Sequence, residues 1–480
     1  MVIASAMQPI WRFMVENNTQ LKEMIRSMVI DLLQGQKQEA ASSQPVKQAP
    51  RGQVEPGVFD TVDDAIQAAK AAQARFEDCT LATREKVIAD IRATMRPRVQ
   101  ELAQKTVEET GMGRVADKVL KLNLTLDKTP GVEDLVTECE TGDNGMTLYE
   151  LSAYGVIGAI TPSTNPAETL ICNTIGMLAA GNAVFFSVHP GAKHLSRLLV
   201  SELNQIIAKS IGIENLIVTL REPSIESAQE MMLHPDVSLL VVTGGPGVVK
   251  QALQSGKKVI GAGAGNPPAF VDETADIKKA AQDIVLGASL DNNILCIAEK
   301  SVVAMRQIEP QLVQEMVKAG CVLIDNQQDI QRLVDLTVLP NGTPNKKFVG
   351  KNASVILDAA HIPYNGDPRL IIMRTPKDHP FAVIEMLMPI LPVVTVDSFD
   401  EGLDVCLMLE AGLHHTATMH SLNMERLNRM ARKMKTSIFV KNGPSYAGLG
   451  FSGEGTTTFT IATPTGESTT SARCFARRRR

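Results

Sequence analysis

The sequence lacks an uninterrupted apolar segment long enough to span a bilayer. The nearest candidate, residues 381–396, is broken by Glu385, Pro389 and Pro392. The N-terminus also lacks the cationic region and following apolar core of a secretory signal. These absences predict a cytoplasmic protein without a membrane partner.

Charge and cysteine patterns exclude further classes of protein. The formal net charge is −5 at pH 7 and no basic stripe occurs, which argues against a nucleic-acid partner. We expect the terminal arginine run at 477–480 to be solvated. The seven cysteines are scattered, odd in number and without a CxxC pair, so we expect reduced thiols.

The histidines do not indicate a metal site. His414, His415 and His420 are close in sequence, but neighbouring side chains on a strand point to opposite faces. A shared ion is therefore disfavoured, and we predict no metal.

The first 57 residues differ from the rest of the chain. Apolar residues recur at helical spacing over 21–32, and a polar, proline-containing linker follows up to Gly57. Such a helix can fold back on its own domain or on a sister subunit, or it can dock on another protein. The residues alone leave these alternatives open.

Short apolar runs alternate with helical patterns from residue 156 onward. Strands are predicted at 156–161, 183–188, 216–220, 237–242 and 258–260, with helices at 167–180, 192–209, 224–233 and 247–254. This alternation predicts a parallel α/β sheet that presents ligands at the carboxyl ends of its strands. Before it, residues 62–74 and 83–109 are predicted helices and 147–153 a strand. A second α/β segment covers about 272–443, with strands at 300–305, 370–373, 391–396, 416–420 and 437–441.

Cys296 differs from the other six cysteines in its surroundings. It lies between a predicted helix (274–288) and the strand at 300–305, and a thiol in such a loop can meet a ligand. Asn292, Asn293 and nearby backbone amides are candidate donors to an oxyanion. The alternative is an inert buried thiol, which is common in proteins.

Three loops fall at the predicted ligand edge of the first sheet. Asn165 in the loop 161–166 can donate to an oxyanion or cap the next helix, and taken alone capping is favoured. The glycines of 242–247 can admit a ligand to a helix N-terminus or form an ordinary turn. The run 261–268 is not a dinucleotide fingerprint, because its sixth position is Asn266 and two prolines follow. Its glycines indicate either a close approach beneath a substrate or nicotinamide, or a hinge.

Together these segments resemble the aldehyde dehydrogenase superfamily, specifically its CoA-acylating branch of bacterial microcompartments. The resemblance rests on seven motifs in this order: Glu109-Thr-Gly-Met-Gly-Arg-Val, Thr161-Pro-Ser-Thr-Asn-Pro, Val242-Thr-Gly-Gly, Gly261-Ala-Gly-Ala-Gly-Asn-Pro-Pro, Asp291-Asn-Asn-Ile-Leu-Cys, His379-Pro-Phe-Ala-Val and Thr463-Pro-Thr-Gly-Glu. It implies a Rossmann-type parallel-sheet cofactor domain (58–271, with the return of 444–480), an α/β catalytic domain (272–443) and a small β oligomerisation element. Residues 1–57 stay outside both domains.

The resemblance implies a two-step reaction at Cys296. The thiolate attacks a short-chain aldehyde, propanal foremost or acetaldehyde, and Asn165 with the Cys296 backbone amide holds the oxyanion. Hydride passes to NAD, and coenzyme A takes the acyl group from the resulting thioester. The glutamate that activates water in hydrolytic relatives aligns with about Ala262 here, which favours CoA as the acceptor.

The resemblance also implies a set of cofactor residues. They are Thr161, Pro162, Ser163, Thr164, His189, Pro190, Gly191, Thr243, Gly244, Gly245, Val248, Gly263 and Glu385. His189-Pro190 stands where the superfamily has Lys-Pro at the adenosine ribose, so that contact is changed. Glu385 matches a glutamate that holds the nicotinamide ribose.

Assembly is implied in the same way. The helix at about 20–34 corresponds to an encapsulation peptide that binds microcompartment shell proteins, which places the enzyme in the compartment lumen. Residues 147–153 and 456–462 correspond to strands that pair between subunits of a homo-oligomer, a dimer or tetramer.

Overall fold

Two parallel sheets organise residues 55–480, the part of the chain that this computed structural model describes. The sequence-predicted helix at 20–34 lies outside the described residues. The strands are β1 (Val58–Phe59), β2 (Glu138–Gly142), β3 (Gly145–Ala153), β4 (Val156–Ile160), β5 (Ala183–Ser187), β6 (Ile217–Leu220), β7 (Val237–Thr243), β8 (Lys258–Ala262), β9 (Pro268–Val271), β10 (Ser301–Met305), β11 (Cys321–Leu323), β12 (Leu370–Arg374), β13 (Ile390–Val396), β14 (Thr416–His420), β15 (Ile438–Lys441), β16 (Ile461–Ala462), β17 (Ser468–Thr469) and β18 (Ala476–Arg479).

Helices cover the two sheets. They are α1 (Val62–Glu77), α2 (Leu81–Met95), α3 (Val99–Thr110), α4 (Val115–Lys128), α5 (Pro166–Ala179), α6 (Lys193–Ile211), α7 (Ile225–Leu233), α8 (Pro246–Leu253), α9 (Ile277–Ser289), α10 (Glu309–Lys318), α11 (Gln327–Thr337), α12 (Ala353–Ala359), α13 (Pro380–Val383), α14 (Phe399–Glu410) and α15 (Met424–Met434). None of these helices is long and apolar enough to cross a membrane.

The prediction of one helix over 83–109 was wrong. Two helices, α2 and α3, cover this stretch, and a 3₁₀ turn at Arg96–Arg98 separates them. Pro97 explains the break, because its nitrogen carries no hydrogen to donate to the preceding turn.

The first sheet has six strands in the order β1-β6-β5-β4-β7-β8, and every pair is parallel. β4 and β5 are buried along their whole length, as their apolar sequences predict for strands covered on both faces. The predicted parallel α/β sheet is confirmed, and its carboxyl ends point toward one edge.

The second sheet has seven parallel strands in the order β11-β12-β13-β10-β9-β14-β15. The sequence missed β9 and β11. β9 begins at Pro268 directly after another proline, a pattern that argues against a central strand although proline is tolerated as a strand's first residue. Because β9 lies in this sheet, the second sheet begins a few residues before the predicted boundary at 271.

The small antiparallel sheet differs from the prediction. β3 pairs with β2 and with β18, so the terminal arginines form an edge strand with exposed side chains. Residues 456–462 were predicted to be a strand, but only β16 forms there and it pairs with β17. That strand was implied by the family resemblance, whereas in the structure β16 lies next to β8 of the first sheet.

Candidate active site

The carboxyl edge of the first sheet meets the amino edge of the second sheet. The loops after β4, β5, β7 and β8 begin at Thr161, Val188, Gly244 and Gly263, and these strands are neighbours in the order β5-β4-β7-β8. The five residues 263–267 lead directly from β8 to β9. The predicted cofactor residues that follow these four strands therefore lie along one edge.

Four segments of the second sheet approach from the other side. Glu385, Cys296, Gly265 and His415 each precede a strand, and these strands are neighbours in the order β13-β10-β9-β14. Parallel pairing places the amino ends of all four at one edge. The structure thus brings Cys296 together with residues 31 or more positions away in the chain.

Gly265 lies where these segments crowd together. A Cβ atom at this position would lie 2.7 Å from the carbonyl oxygen of Cys296 and 2.8 Å from Cγ of His415. Its amide donates to Glu385 Oε1 at 3.3 Å. The glycine is required by close packing of protein atoms, which accounts for part of the glycine run without any ligand.

The Cys296 thiol is half-buried against an apolar cluster. The cluster includes Leu124, Cys172, Leu295, Ile297 and Phe459. Burial raises the pKa of the Cys296 thiol to about 12, and the charge of Glu385 adds to the rise while Lys300 opposes it. The resting group is therefore a protonated thiol.

Lys300 holds the loop that carries Cys296. Its buried ammonium donates to the Asn293 carbonyl at 2.7 Å, to Asn293 Oδ1 at 2.6 Å and to the Leu295 carbonyl at 2.9 Å. Burial lowers the pKa of Lys300 to about 8. Sequence reasoning missed this role, although a lysine at the start of an otherwise apolar buried strand was a visible signal.

The asparagines before Cys296 are not free donors, so that prediction was wrong. Asn292 Nδ2 donates to the Gly350 carbonyl and to Asn352 Oδ1, and Asn293 Nδ2 donates to the carbonyls of Ala288 and Glu299. Residues 291–293 all have positive φ, between 51° and 66°. Aspartate and asparagine tolerate this left-handed conformation better than most residues, which explains their presence here.

Asp291 fixes the same turn through charge. Its Oδ1 accepts from the Arg114 amide at 2.9 Å, and its Oδ2 accepts from Lys118 at 2.9 Å and lies 2.5 Å from Lys121 Nζ. A Cβ atom at Gly113 would lie 2.0 Å from Asp291 Oδ1, so the glycine of the motif after Glu109 makes this contact possible. Glu109 itself accepts from the first amides of α6.

Asn165 occupies the N-cap position of α5, but its side chain makes no capping hydrogen bond. The interpretation of Asn165 as a simple cap was therefore wrong. Its Oδ1 accepts from the Lys121 ammonium at 2.5 Å, and its Nδ2 donates to Thr164 Oγ1 at 3.3 Å. Lys121 thus contacts both Asn165 and the Asp291 turn that leads to Cys296, a link that sequence reasoning did not find.

The edge residues of the first sheet are suited to a ligand to different degrees. Thr161 is buried, and its Oγ1 has no hydrogen-bond partner within residues 55–480. The Gly245 position faces open space, and α8 follows with its N-terminus exposed. By contrast, a Cβ atom at Gly263 would lie 3.1 Å from Pro464 Cγ, and Thr243 Oγ1 lies within hydrogen-bond distance of Thr460 Oγ1, at 2.9 Å.

The His189 segment is exposed at the end of β5. His189 Nδ1 accepts from the Gly191 amide at 3.0 Å, which closes the turn through Pro190. Partial burial and the nearby charge of Lys346 lower the pKa of His189. The imidazole is therefore neutral near pH 7.

Glu385 bears on the expectation that the site lacks the water-activating glutamate of hydrolytic relatives. Ala262 is buried at the end of β8 and places no carboxylate there. However, Glu385 lies close enough to Cys296 to raise the pKa of its thiol. The site therefore contains a carboxylate, contributed by a different strand connection.

His415 is a second group that the sequence did not assign. Its Nδ1 lies 2.9 Å from Thr416 Oγ1, and its buried Nε2 has no partner in the described part of the chain. Burial lowers the pKa of His415 to about 4, and Lys300 adds to the effect. No group of three or more His, Cys, Asp or Glu side chains within 55–480 is arranged to hold a metal.

Comparison with known sequences extends these observations. The sequence model of the aldehyde dehydrogenase family matches residues 33–462. The chain is 51% identical to a CoA-propanoylating propanal dehydrogenase of Salmonella typhimurium over 97% of this chain and 98% of the relative. It is 47% identical to an acetylating acetaldehyde dehydrogenase of the same organism, over 89% of this chain and 92% of the relative.

Solved structures show the same similarity. A Rhodopseudomonas palustris propionaldehyde dehydrogenase with bound CoA and an acylated cysteine has a TM-score of 0.87 and 50% identity, covering 89% of this chain and 98% of that one. A propionaldehyde dehydrogenase from the fucose utilisation microcompartment of Clostridium phytofermentans has a TM-score of 0.87 and 48% identity, covering 88% and 98%.

Proposed function

The chain belongs to the aldehyde dehydrogenase family, and on this premise we propose that it oxidises a short-chain aldehyde, propanal foremost, to its acyl-CoA with NAD. The observation that carries the proposal is that Asn165, at the carboxyl edge of the first sheet, and Cys296, at the amino edge of the second, lie at facing sheet edges. Lys121 contacts Asn165 and also Asp291, in the turn that leads to Cys296. Similarity along almost the whole chain to a CoA-propanoylating relative supports the choice of acyl acceptor.

Cys296 supplies the nucleophile. Its thiolate forms a carbon–sulfur bond to the aldehyde carbon, and the carbonyl electrons move to oxygen to give a thiohemiacetal oxyanion. Asn165 Nδ2 and the Cys296 backbone amide stabilise this oxyanion. Loss of hydride from carbon re-forms the carbonyl and leaves an acyl thioester on Cys296.

The thiol needs a proton acceptor, since its pKa of about 12 keeps it protonated near neutral pH. Glu385 and His415 both lie around Gly265, and the low pKa of His415 leaves a neutral imidazole there. Glu385 is the stronger base of the two, because a pKa of about 4 makes the His415 imidazole a weak proton acceptor. Glu385 can take a proton from Cys296 or from the thiol of CoA, and the CoA thiolate then attacks the thioester and releases the Cys296 thiolate.

The first sheet fits the predicted cofactor. The Thr161 hydroxyl has no hydrogen-bond partner among residues 55–480, and the loop of Gly244 and Gly245 leaves room before α8. We propose that these residues hold NAD together with Pro162, Ser163, Thr164, His189, Pro190, Gly191, Thr243, Val248, Gly263 and Glu385. The bound nicotinamide supplies the hydride acceptor.

The apolar cluster around Cys296 indicates the substrate class. Leu124, Cys172 and Phe459 offer only hydrocarbon and thiol surfaces, which favour an unsubstituted alkyl aldehyde. Acetaldehyde is the second candidate, since a relative of 47% identity is an acetylating acetaldehyde dehydrogenase.

One assay tests the function. NADH formation from propanal and NAD should be sustained with CoA and limited to about one equivalent per Cys296 without it, because the acyl group has no acceptor. Sustained turnover without CoA would indicate a hydrolytic enzyme, for which Glu385 is the available base. The Cys296→Ala variant should lose all turnover, and an active variant would refute the nucleophile. Acetaldehyde, propanal and butanal compared under the same conditions rank the substrates.

We propose further that residues 20–34 bind a microcompartment shell protein and that the enzyme is a homo-oligomer in the lumen. The sequence pattern of the helix and the similarity to an enzyme of a fucose utilisation microcompartment support this. Deleting residues 1–50 should leave turnover unchanged and abolish co-purification with shells. Retained co-purification would contradict the proposal.

A further inference from the structure

Beneath Asn165 lies a buried charge network that the proposed chemistry does not use. Lys121 Nζ lies 2.5 Å from Asn165 Oδ1, 2.5 Å from Asp291 Oδ2 and 3.0 Å from Glu168 Oε1. The side chains of Lys121, Asp291 and Glu168 are completely buried. Two lysines, with Lys118 as the second, balance two carboxylates here.

The ammonium determines which way the Asn165 carboxamide faces. A lysine ammonium only donates hydrogen bonds, so it must contact the amide oxygen and not the amide nitrogen. Nδ2 then faces the opposite side, where Thr164 Oγ1 accepts from it at 3.3 Å. An amide nitrogen carries two hydrogens, and the second remains available to a ligand.

We propose that Lys121 is a positioning residue that holds the Asn165 carboxamide with its N–H toward the oxyanion formed at Cys296. This inference rests on the proposed function. Without the ammonium, the carboxamide can rotate by half a turn and present its oxygen to the developing negative charge, which repels it. Lys121 also contacts Asp291, but Lys118 shares that carboxylate, so the turn leading to Cys296 keeps an ammonium partner when Lys121 is removed.

Lys118 provides a matched control. It is equally buried in the same network and donates to Asp291 Oδ2 at 2.9 Å and to the Thr164 carbonyl at 3.1 Å. Among residues 55–480 its ammonium donates no hydrogen bond to the Asn165 side chain. Replacing Lys118 removes one positive charge from the network, as replacing Lys121 does, but it leaves the Asn165 carboxamide bonded to Lys121.

The test is a double-mutant cycle on the NADH burst from propanal and NAD without CoA. Asn165→Ala should slow the burst about 100-fold, and Lys121→Met about 10-fold, as expected for a misplaced reacting group. The KM for propanal should not change. In the double variant Lys121→Met should add nothing to Asn165→Ala, because the group it orients is gone. Effects that multiply would overturn the proposal.

Two further measurements distinguish a loss of Asn165 orientation from general damage to the site. Alkylation of Cys296 by iodoacetamide forms no oxyanion, so its rate should be unchanged in Lys121→Met. A loss of alkylation equal to the loss of burst rate would overturn the positioning role. Lys118→Met should slow the burst less than Lys121→Met, and an equal loss would assign the effect to the network as a whole. If Lys121→Met does not fold, Lys121→Met with Glu168→Gln keeps the network neutral and serves in its place.

The cycle also separates this inference from the proposed function. A normal burst in Asn165→Ala would refute the oxyanion role itself. A slow burst in Asn165→Ala together with a normal burst in Lys121→Met would refute only the positioning by Lys121.

Discussion

Two groups of buried ionisable side chains flank the site, and they are organised in different ways. Beneath Asn165, opposite charges are in direct contact. Burial opposes the charges of Lys121 and Asp291, but their mutual attraction and the neighbours outweigh it, so the pKa of Lys121 is raised and that of Asp291 is lowered. Lys121 and Asp291 stay charged across the physiological range, whereas burial and the charge of Lys121 lower the pKa of Lys118.

Around Cys296, burial dominates instead. It raises the pKa of the thiol to about 12 and that of Glu299 to about 7, and it lowers the pKa of Lys300 to about 8 and that of His415 to about 4. Every shift favours the neutral form. The paired region therefore holds groups rigidly, whereas the region around Cys296 keeps groups close to their neutral forms, from which protons can move.

Breaking the paired region should have the largest effect on stability. Asp291→Asn leaves Lys118 and Lys121 facing each other with one carboxylate fewer, and breaking a buried pair costs about 3–5 kcal/mol of unfolding free energy. Chemical denaturation of the purified enzyme measures this loss.

The exposed pair Arg306–Asp397 is the control for Asp291→Asn. Both side chains are about two-thirds exposed, so Asp397→Asn should change the unfolding free energy far less than Asp291→Asn does. Equal losses in the two variants would show that burial of the network contributes nothing.

Glu385→Gln should change the unfolding free energy less than Asp291→Asn does, and in the opposite direction. The pKa of Glu385 is raised by burial, so above the unfolded pKa its charge disfavours folding, and the neutral amide should not lower stability. The same change removes a charge that raises the pKa of Cys296, so alkylation by iodoacetamide should speed up at pH 8. At a pH below the thiol pKa, each unit by which that pKa falls raises the thiolate fraction about tenfold.

The pH profile of alkylation shows in which direction Glu385→Gln shifts the pKa of the Cys296 thiol. The rate should rise with pH in both proteins, with the Glu385→Gln curve displaced toward lower pH, and Cys296→Ala identifies the background from the other cysteines. A curve displaced toward higher pH would contradict the assignment of Glu385 as the charge that raises the pKa of Cys296.

Much of the fold follows from short-range sequence pattern. The apolar runs of β4, β5 and β7 and the helices between them were predictable, because strands buried on both faces are apolar along their length and the turns between elements contain typical turn residues. The misses have local causes. Pro97 divides a helix whose apolar periodicity continues through it, and two adjacent prolines conceal β9 at the centre of the second sheet.

The candidate site divides in the same way. Cys296 and Asn165 were named from motifs, and the structure places them at facing sheet edges, while their catalytic roles stay predictions. Asn292 and Asn293 were misassigned because hydrogen bonds to Gly350 and Glu299 cannot be seen in the sequence. Lys121, Lys300 and His415 were not assigned any role, since buried charged residues carry no periodic signal.

The sequence by itself determined the family, the alternation of strands and helices, and the positions of the thiol and the amide. Backbone propensity and apolar periodicity act over a few residues, so a linear pattern records them. Tertiary structure alone decided which way the Asn165 carboxamide faces and which groups near Cys296 lose their charge. Lys121 reaches Asn165 across 44 positions and Lys118 reaches Asp291 across 173, and only packing sets the burial that shifts each pKa.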